Sequence, residues 1–343
     1  MQRRTFISSA VGLGAAGLAM LLATPRPQPG QLTRSHDPAA HYPIYTGADL
    51  AFGTTIAVQV VHADQRQAEL AIADALAAAK QIDRLLSLHR IDSQVYQLNQ
   101  NGSLDRPHPH LSTVLTSAAA LSRLTHGAFD VTVQPLWQTF SAAAATGALP
   151  SADARHAAMA LVDWRQLAVS DRRVALARPG MAITLNGIAQ GHAVDVAQAA
   201  LAARGIQHAF LDTGEFAACG RKSNRQEWTI GIRDPRDRQA LAGIVPMRGR
   251  CVATSGDYET VFTPDFVHHH IFDPASGDSP VELASVTVVA PTGLQADGWS
   301  TALMVLGADK ALALAATLTE FDILLIGKDG RRWRSTHLPT LPA

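Results

Sequence analysis

Cysteine is nearly absent from this chain. Of 343 residues only Cys219 and Cys251 carry thiols, and their spacing fits no zinc site. Both lie in apolar, strand-like stretches and read as buried free thiols rather than a disulfide. Aromatic residues are scarce too, at 6%. Alanine is plentiful, and the 47% hydrophobic and 17% charged fractions are those of a soluble globular protein with a full core. Neither sign of charge prevails: 29 Lys and Arg face 29 Asp and Glu, for a formal net charge of +0. Such a balance offers no basic surface for nucleic acid. The local cluster of Lys328, Arg331, Arg332 and Arg334 reads as a solvated strand edge. No repeat of fixed period is present, and no linker-like stretch divides residues 45–340.

Long apolar runs are also missing, and the one at the N-terminus is informative. "MQRRTFISSAVGLGAAGLAMLLATPRP" pairs Arg3 with Arg4, continues through Phe6 and Ile7, and runs apolar from Ala10 to Ala23. That run falls short of the ~20 residues of a comfortable membrane span. Residues 1–23 read as a twin-arginine export signal, or as an uncleaved anchor, because Leu21 is a poor match to the small residue that cleavage near Ala23 would want. Residues 24–43, rich in Pro and polar side chains, read as a flexible leader. "GLGAAG" from Gly12 to Gly17 spells a dinucleotide-binding pattern, but no strand precedes it and it sits inside the signal.

From residue 44 onward, helical and strand periodicities mix without regular alternation, which predicts an α+β fold. "FGTTIAVQVV" (52–61) alternates as a strand, and residues 66–88 carry apolar side chains at helical spacing. A helix over 110–126 stops at Gly127, and "GAFDVTVQPLW" (127–137) follows as an extended piece. "MAITLNGIAQGHAVD" (181–195) reads as a strand, a glycine turn and a helix start. "HHHIFDPASG" reads as a strand breaking into a turn, and "SVTVVAP" as a buried strand before the helix holding "ADGWSTALMVLG".

Four stretches could carry chemistry. Asp297 and Thr301 are spaced i, i+4 on one helix face, near its start. Either Asp297 caps its own helix, or the carboxylate and hydroxyl form an incomplete oxygen set for a hard cation such as Mg²⁺. In "TLNGIAQGHAVD", Gly187 and Gly191 allow close backbone approach at a helix N-terminus, or simply turn the chain. His268, His269 and His270 could supply two metal ligands, one general base, or an exposed edge. Thr254, Ser255 and Asp257 in "ATSGDYE" offer polar contacts, without the context of a nucleophilic serine.

Together and in this order, "FGTTIAVQV", "GAFDVTVQPLW", "NGIAQGHAVD", "WTIGIRDP", "VATSGDYE", "HHHIFDPASGDSP" and "SVTVVAPTGLQADGWSTALMVLG" resemble the ApbE family of FAD:protein FMN transferases. The twin-arginine start and the Gln-containing turn further resemble a subgroup, NosX, associated with nitrous oxide reductase maturation. The resemblance implies mixed and antiparallel sheets with packed helices, and a nucleotide site between two subdomains, within residues 44–343. It implies FAD as donor, Mg²⁺ as cofactor, and transfer of FMN to a Thr or Ser hydroxyl of an exported flavoprotein, with AMP released. Asp297, Thr301 and the carbonyl of Gly187 would hold the metal, and His270 would serve as base. Phe52, Gly53 and Thr54 would lie near the isoalloxazine, with Gln190, Thr254, Ser255 and Asp257 around the nucleotide. The acceptor would be a membrane-bound flavoprotein of the nitrous oxide reductase system, met in the periplasm. Two departures stand out: Gln190 replaces the family's usual Lys, and Glu215 in "DTGEF" replaces a Gly. They keep open a non-catalytic FAD-binding assembly factor, beside transfer and beside hydrolysis of FAD to FMN and AMP.

Overall fold

The computed structural model describes residues 28–35, 42–223, 226–237 and 239–338; the export-signal reading of residues 1–23 lies outside them. Its strands are β1 (Leu32–Ser35), β2 (Ile44–Ala51), β3 (Thr54–Val61), β4 (Ser103–Asp105), β5 (Leu167–Val169), β6 (Arg173–Leu176) and β7 (Ala209–Asp212), then β8 (Phe216–Cys219), β9 (Thr229–Arg233), β10 (Leu241–Pro246), β11 (Cys251–Gly256), β12 (Leu283–Ala290), β13 (Asp322–Gly327) and β14 (Arg332–Arg334). The helices are α1 (Gln65–Leu86), α2 (Gln94–Asn101), α3 (Pro109–Leu124), α4 (Gln134–Ala144), α5 (Ala152–Met159), α6 (Ala189–Ala203), α7 (Gly293–Leu306) and α8 (Ala308–Ala315). None of the described helices is long and apolar enough to cross a membrane.

Nine strands form one sheet in the order β1-β2-β3-β7-β8-β11-β12-β13-β14, every neighbouring pair antiparallel. Both faces are covered. Helices α1, α3, α6 and α7 bury the main core on one face. On the other face Phe210, Phe216 and Trp228 pack with the β9–β10 hairpin. That double burial explains why all eight residues of β12 are buried, Ser285 and Thr287 among them, and why its sequence carries no charged face. Alanine does the work that aromatics do elsewhere. Ala68, Ala71, Ala75 and Ala79 of α1 are buried in the same core as Ala189, Ala193 and Ala197 of α6, and small side chains let these helices pack closely. A satellite core of Leu136, Phe140, Ala158 and Phe272 supports the region of α4 and α5.

Four segments differ from their sequence-based expectations. Within the supposed leader, Leu32–Ser35 pairs antiparallel with β2 as an exposed edge strand. Residues 131–144 are helical, not extended: Asp130 caps a short 3₁₀ turn at Val131–Val133, and Pro135 sits at the start of α4, where it costs no hydrogen bond. The stretch before Gly187 joins no sheet; Ile183 pairs both ways with the side-chain amide of Asn99, at 2.8 and 2.7 Å. The three histidines lie in a loop and join no strand; His269 makes an isolated bridge with Val261. Pattern alone cannot separate an isolated extended segment from a paired strand.

Candidate active site

Two helices build the site. Helix α7 begins at Gly293, capped by Thr292, so Asp297 stands in its second turn and is not its cap. Helix α6 has no side-chain cap of its own. The Asp297 carboxylate supplies one from the neighbouring helix, with Oδ2 accepting from the Gly191 amide at 2.9 Å. Asp195 of α6 returns the favour: its oxygens accept from the amides of Gly293 at 2.6 Å and Leu294 at 2.9 Å. The two N-termini touch where both helices carry glycine. A Cβ on Gly191 would lie 2.1 Å from the Gly293 carbonyl oxygen and 2.6 Å from Asp297 Cβ. The capping reading of Asp297 therefore holds for the wrong helix, and it uses only one carboxylate oxygen.

Strand β11 completes the floor. Ser255 Oγ lies 3.0 Å from Thr301 Oγ1 and 2.8 Å from Ser300 Oγ, so Thr301 does not merely bond back to its own helix. Gly187, in the turn before α6, approaches the same hydroxyl; a Cβ there would sit 2.8 Å from Thr301 Oγ1. Above this floor lies a cleft of about 890 Å³, including its open mouth. It gathers Gly187, Thr254, Ser255, His270, Asp297 and Thr301. Its apolar wall includes Phe129, Trp137 and Phe272.

Electrostatics set the cleft apart. Asp130, Glu215, Glu259 and Asp297 line it, and no lysine or arginine among the described residues does. Asp130 is satisfied by Thr132 and the Trp164 amide. Burial pushes the Asp297 carboxyl up to about 7, the Gly191 amide pulling it down and the Asp195 carboxylate adding to the rise. Glu215 is raised well above the ordinary range by burial and then by Asp297. Buried carboxylates without a counter-charge are costly, so the site calls for a cation. No group of three or more His, Cys, Asp or Glu among the described residues is arranged to hold a metal unaided. Asp297, Thr301 and the Gly187 carbonyl are oxygen donors of the kind that could hold a hard divalent ion and leave positions on it open.

The histidines divide three ways. His268 Nδ1 pairs with Asp278 at 2.7 Å, and Asp278 also takes Arg155 at 2.7 Å. His269 is fully buried, its Nε2 facing the Pro280 carbonyl at 3.2 Å. Only His270 lines the cleft, so a two-histidine metal pair does not form. Its Nδ1 lies 3.3 Å from the Thr260 carbonyl, which can only accept, so Nδ1 carries the proton. Burial holds the imidazole down at about 4, leaving Nε2 with a free lone pair at neutral pH.

The remaining predicted residues lie apart from this cleft. Phe52 and Gly53 form the two-residue β2–β3 turn, both at positive φ (53° and 72°), and Thr54 opens β3. Asp257 is wholly buried, clamped by both guanidinium nitrogens of Arg236 at 2.7 Å, and serves as an anchor of the loop after β11. Gln190 is buried, with Nε2 donating to the Thr213 carbonyl at 3.3 Å. Conversely, Asp195, Phe129, Trp137, Glu259 and Phe272 were not singled out from sequence. Each lies inside or beside a quoted motif, and that adjacency was the available signal.

The fold and cleft define a class: an α+β protein with an antiparallel sheet and one cleft that gathers carboxylates, hydroxyls and a neutral imidazole. The ApbE family matches residues 52–325, and the chain belongs to that family. An FAD:protein FMN transferase of Klebsiella pneumoniae (strain 342) is 32% identical over 305 residues, covering 84% of this chain and 86% of that protein. Its counterpart in Treponema pallidum (strain Nichols) is 32% identical over 313 residues, with 84% and 85% covered. Among solved structures, the ApbE protein of Thermotoga maritima aligns with a TM-score of 0.76 at 28% identity, covering 85% of this chain and 97% of its own. The apo flavinyl transferase ApbE of Pseudomonas stutzeri aligns with a TM-score of 0.72 at 31% identity, over 85% and 95%.

Proposed function

We propose that this chain transfers FMN from FAD to a Thr or Ser hydroxyl of an exported flavoprotein, with Mg²⁺ and with release of AMP. The observation that carries the reading is the meeting, in one cleft, of Asp297, Thr301 and Gly187 with a neutral His270. The apolar wall of Phe129, Trp137 and Phe272 suits a flat ring, and the oxygen-rich floor suits a pyrophosphate. Asp297, Thr301 and the Gly187 carbonyl would hold Mg²⁺, which when bound neutralises charge on the phosphates and on departing AMP. The acceptor oxygen bonds to the FMN-side phosphorus as the bond from that phosphorus to the AMP-side oxygen breaks. The hydroxyl proton passes to His270 Nε2, whose orientation the Thr260 carbonyl holds. The paired arginines of the N-terminus support a periplasmic reaction, and the resemblance to the NosX subgroup supports a membrane-bound acceptor of the nitrous oxide reductase system.

The test follows AMP release from FAD by the full chain, with and without Mg²⁺ and with and without an acceptor flavin domain. AMP that depends on both, with an FMN mass gained by the acceptor, is the expected result. AMP and free FMN without acceptor would mean hydrolysis. Bound FAD without AMP would mean a carrier. His270→Asn should lower transfer by roughly 10²–10⁴-fold while FAD still binds, as expected for loss of a general base. The unprotonated imidazole is the active form, and its titration is depressed to about 4. With Asp297 held ionised by saturating Mg²⁺, the acid limb of kcat/KM should fall near pH 4 and not near pH 6.5; a limb centred at 6.5 under those conditions would remove His270 from this role.

A further inference from the structure

The two departures from the family pattern meet in one place. Glu215 sits in the tight turn between β7 and β8, 4% exposed, and its Oε2 has no hydrogen-bond partner among the described residues. It lines the same cleft as Asp297, Gly187 and Thr301. Among the described residues no lysine or arginine lines that cleft, and position 190 carries an amide already spent on the Thr213 carbonyl.

The turn is built to hold this carboxylate still. Gly214 lies at φ +99, and its amide donates to Asp212 Oδ1 at 3.1 Å. The Thr213 amide donates to the Glu215 carbonyl at 2.9 Å, and Thr213 Oγ1 to the Gln190 carbonyl at 3.1 Å. A Cβ on Gly214 would fall 2.1 Å from Gln190 Nε2. Gln190 thus braces the turn from behind. A rigidly placed, buried carboxylate oxygen with no partner loses its hydration for no return unless something binds it.

The geometry points to Glu215 as a further carboxylate ligand of the divalent cation at Asp297, so that this chain loads the cation before the nucleotide arrives. Asp297, Thr301 and the Gly187 carbonyl offer three oxygens and one negative charge; Glu215 makes it four oxygens and two charges. For hard cations, ligand charge count is what sets affinity. With Lys at 190 and Gly at 215, a site leans on the substrate's phosphates to complete its charge; with Gln190 and Glu215 it does not. This inference rests on the cation reading of the cleft, and its test separates the two.

The experiment titrates Mn²⁺ into the nucleotide-free full-length protein, reading free Mn²⁺ by electron paramagnetic resonance, with melting temperatures taken in parallel with and without Mg²⁺. The wild type should bind one Mn²⁺ without FAD. Glu215→Gln should weaken that binding on the order of tenfold and shrink the Mg²⁺-induced rise in melting temperature. Its metal-free melting temperature should equal or exceed that of the wild type, because the cost of keeping a buried carboxyl beside Asp297 is gone. Gln190→Lys should also weaken binding, since an ammonium beside Gly214 competes for the Glu215 carboxylate. Mn²⁺ affinity unchanged in Glu215→Gln, as a protonated Glu acting only as a donor would produce, overturns the assignment. So does a wild type that binds no Mn²⁺ until FAD is added, or a metal-free melting temperature lowered by Glu215→Gln. If Asp297→Asn binds Mn²⁺ like the wild type, the cation reading itself falls; if Asp297→Asn loses Mn²⁺ and Glu215→Gln does not, only the role of Glu215 falls.

Discussion

Asp297→Asn is expected to reduce AMP release from FAD roughly 10³-fold, while the melting temperature stays close to that of the wild type. The two halves of this result come from the two oxygens of one carboxylate. Oδ2 holds the Gly191 amide at 2.9 Å, and an asparagine carbonyl can accept the same hydrogen bond. The charge, however, is lost, and with it several kcal/mol of stabilisation for a pyrophosphate and a departing nucleotide in a cleft that no lysine or arginine among the described residues lines. Asp297→Ala should match that catalytic loss and add an unfolding penalty of about 1–3 kcal/mol, because the Gly191 amide then has no partner. Single-turnover AMP release and calorimetric scans of both variants check this. Retention of AMP release within tenfold by Asp297→Asn would mean that the acid is only a helix cap.

Gly191→Ala is expected to lower the melting temperature by roughly 5–10 °C and to remove transfer with it. Helix propensity alone argues the other way, since Ala in place of Gly inside a helix gains about 1 kcal/mol. Sterics win here. The added Cβ would meet backbone, the Gly293 carbonyl oxygen at 2.1 Å and its carbon at 2.5 Å, and backbone cannot rotate aside as a side chain can. Helices α6 and α7 must separate, and the separation draws the Gly191 amide from Asp297 and the Gly293 amide from Asp195. A calorimetric scan that shows a higher melting temperature would mean that the helices part at no cost, against the packing described.

The mutual capping of α6 and α7 shows where sequence reading reaches its end. Asp297 and Thr301 share a helix face because helices turn every 3.6 residues, and that much is local. Which amide Asp297 accepts is not local: Gly191 lies 106 residues away, so the acid looked like a cap for its own helix. Asp195 offered only its place at the end of a quoted motif, on a helix that also carries Gln190, His192 and Gln198. The histidine loop repeats the lesson. His268, His269 and His270 are identical as letters, and only the packing around them makes one a hydrogen-bond partner of Asp278, one a buried core residue and one a cleft imidazole.

What the sequence determined by itself is what near neighbours dictate. Alternation set strands such as β3, periodicity set helices such as α1, an uncharged stretch rich in β-branched residues set the buried β12, and the order of seven short motifs set the family. The tertiary structure decided the rest. It took Asp257 out of the cleft and into the grip of Arg236, spent Gln190 on bracing a turn, and left the carboxylate of Glu215 buried beside Asp297 with an open oxygen. The physical reason is that the energy of a charge or a lone pair depends on what stands within a few ångströms of it, and in this protein those neighbours come from distant parts of the chain.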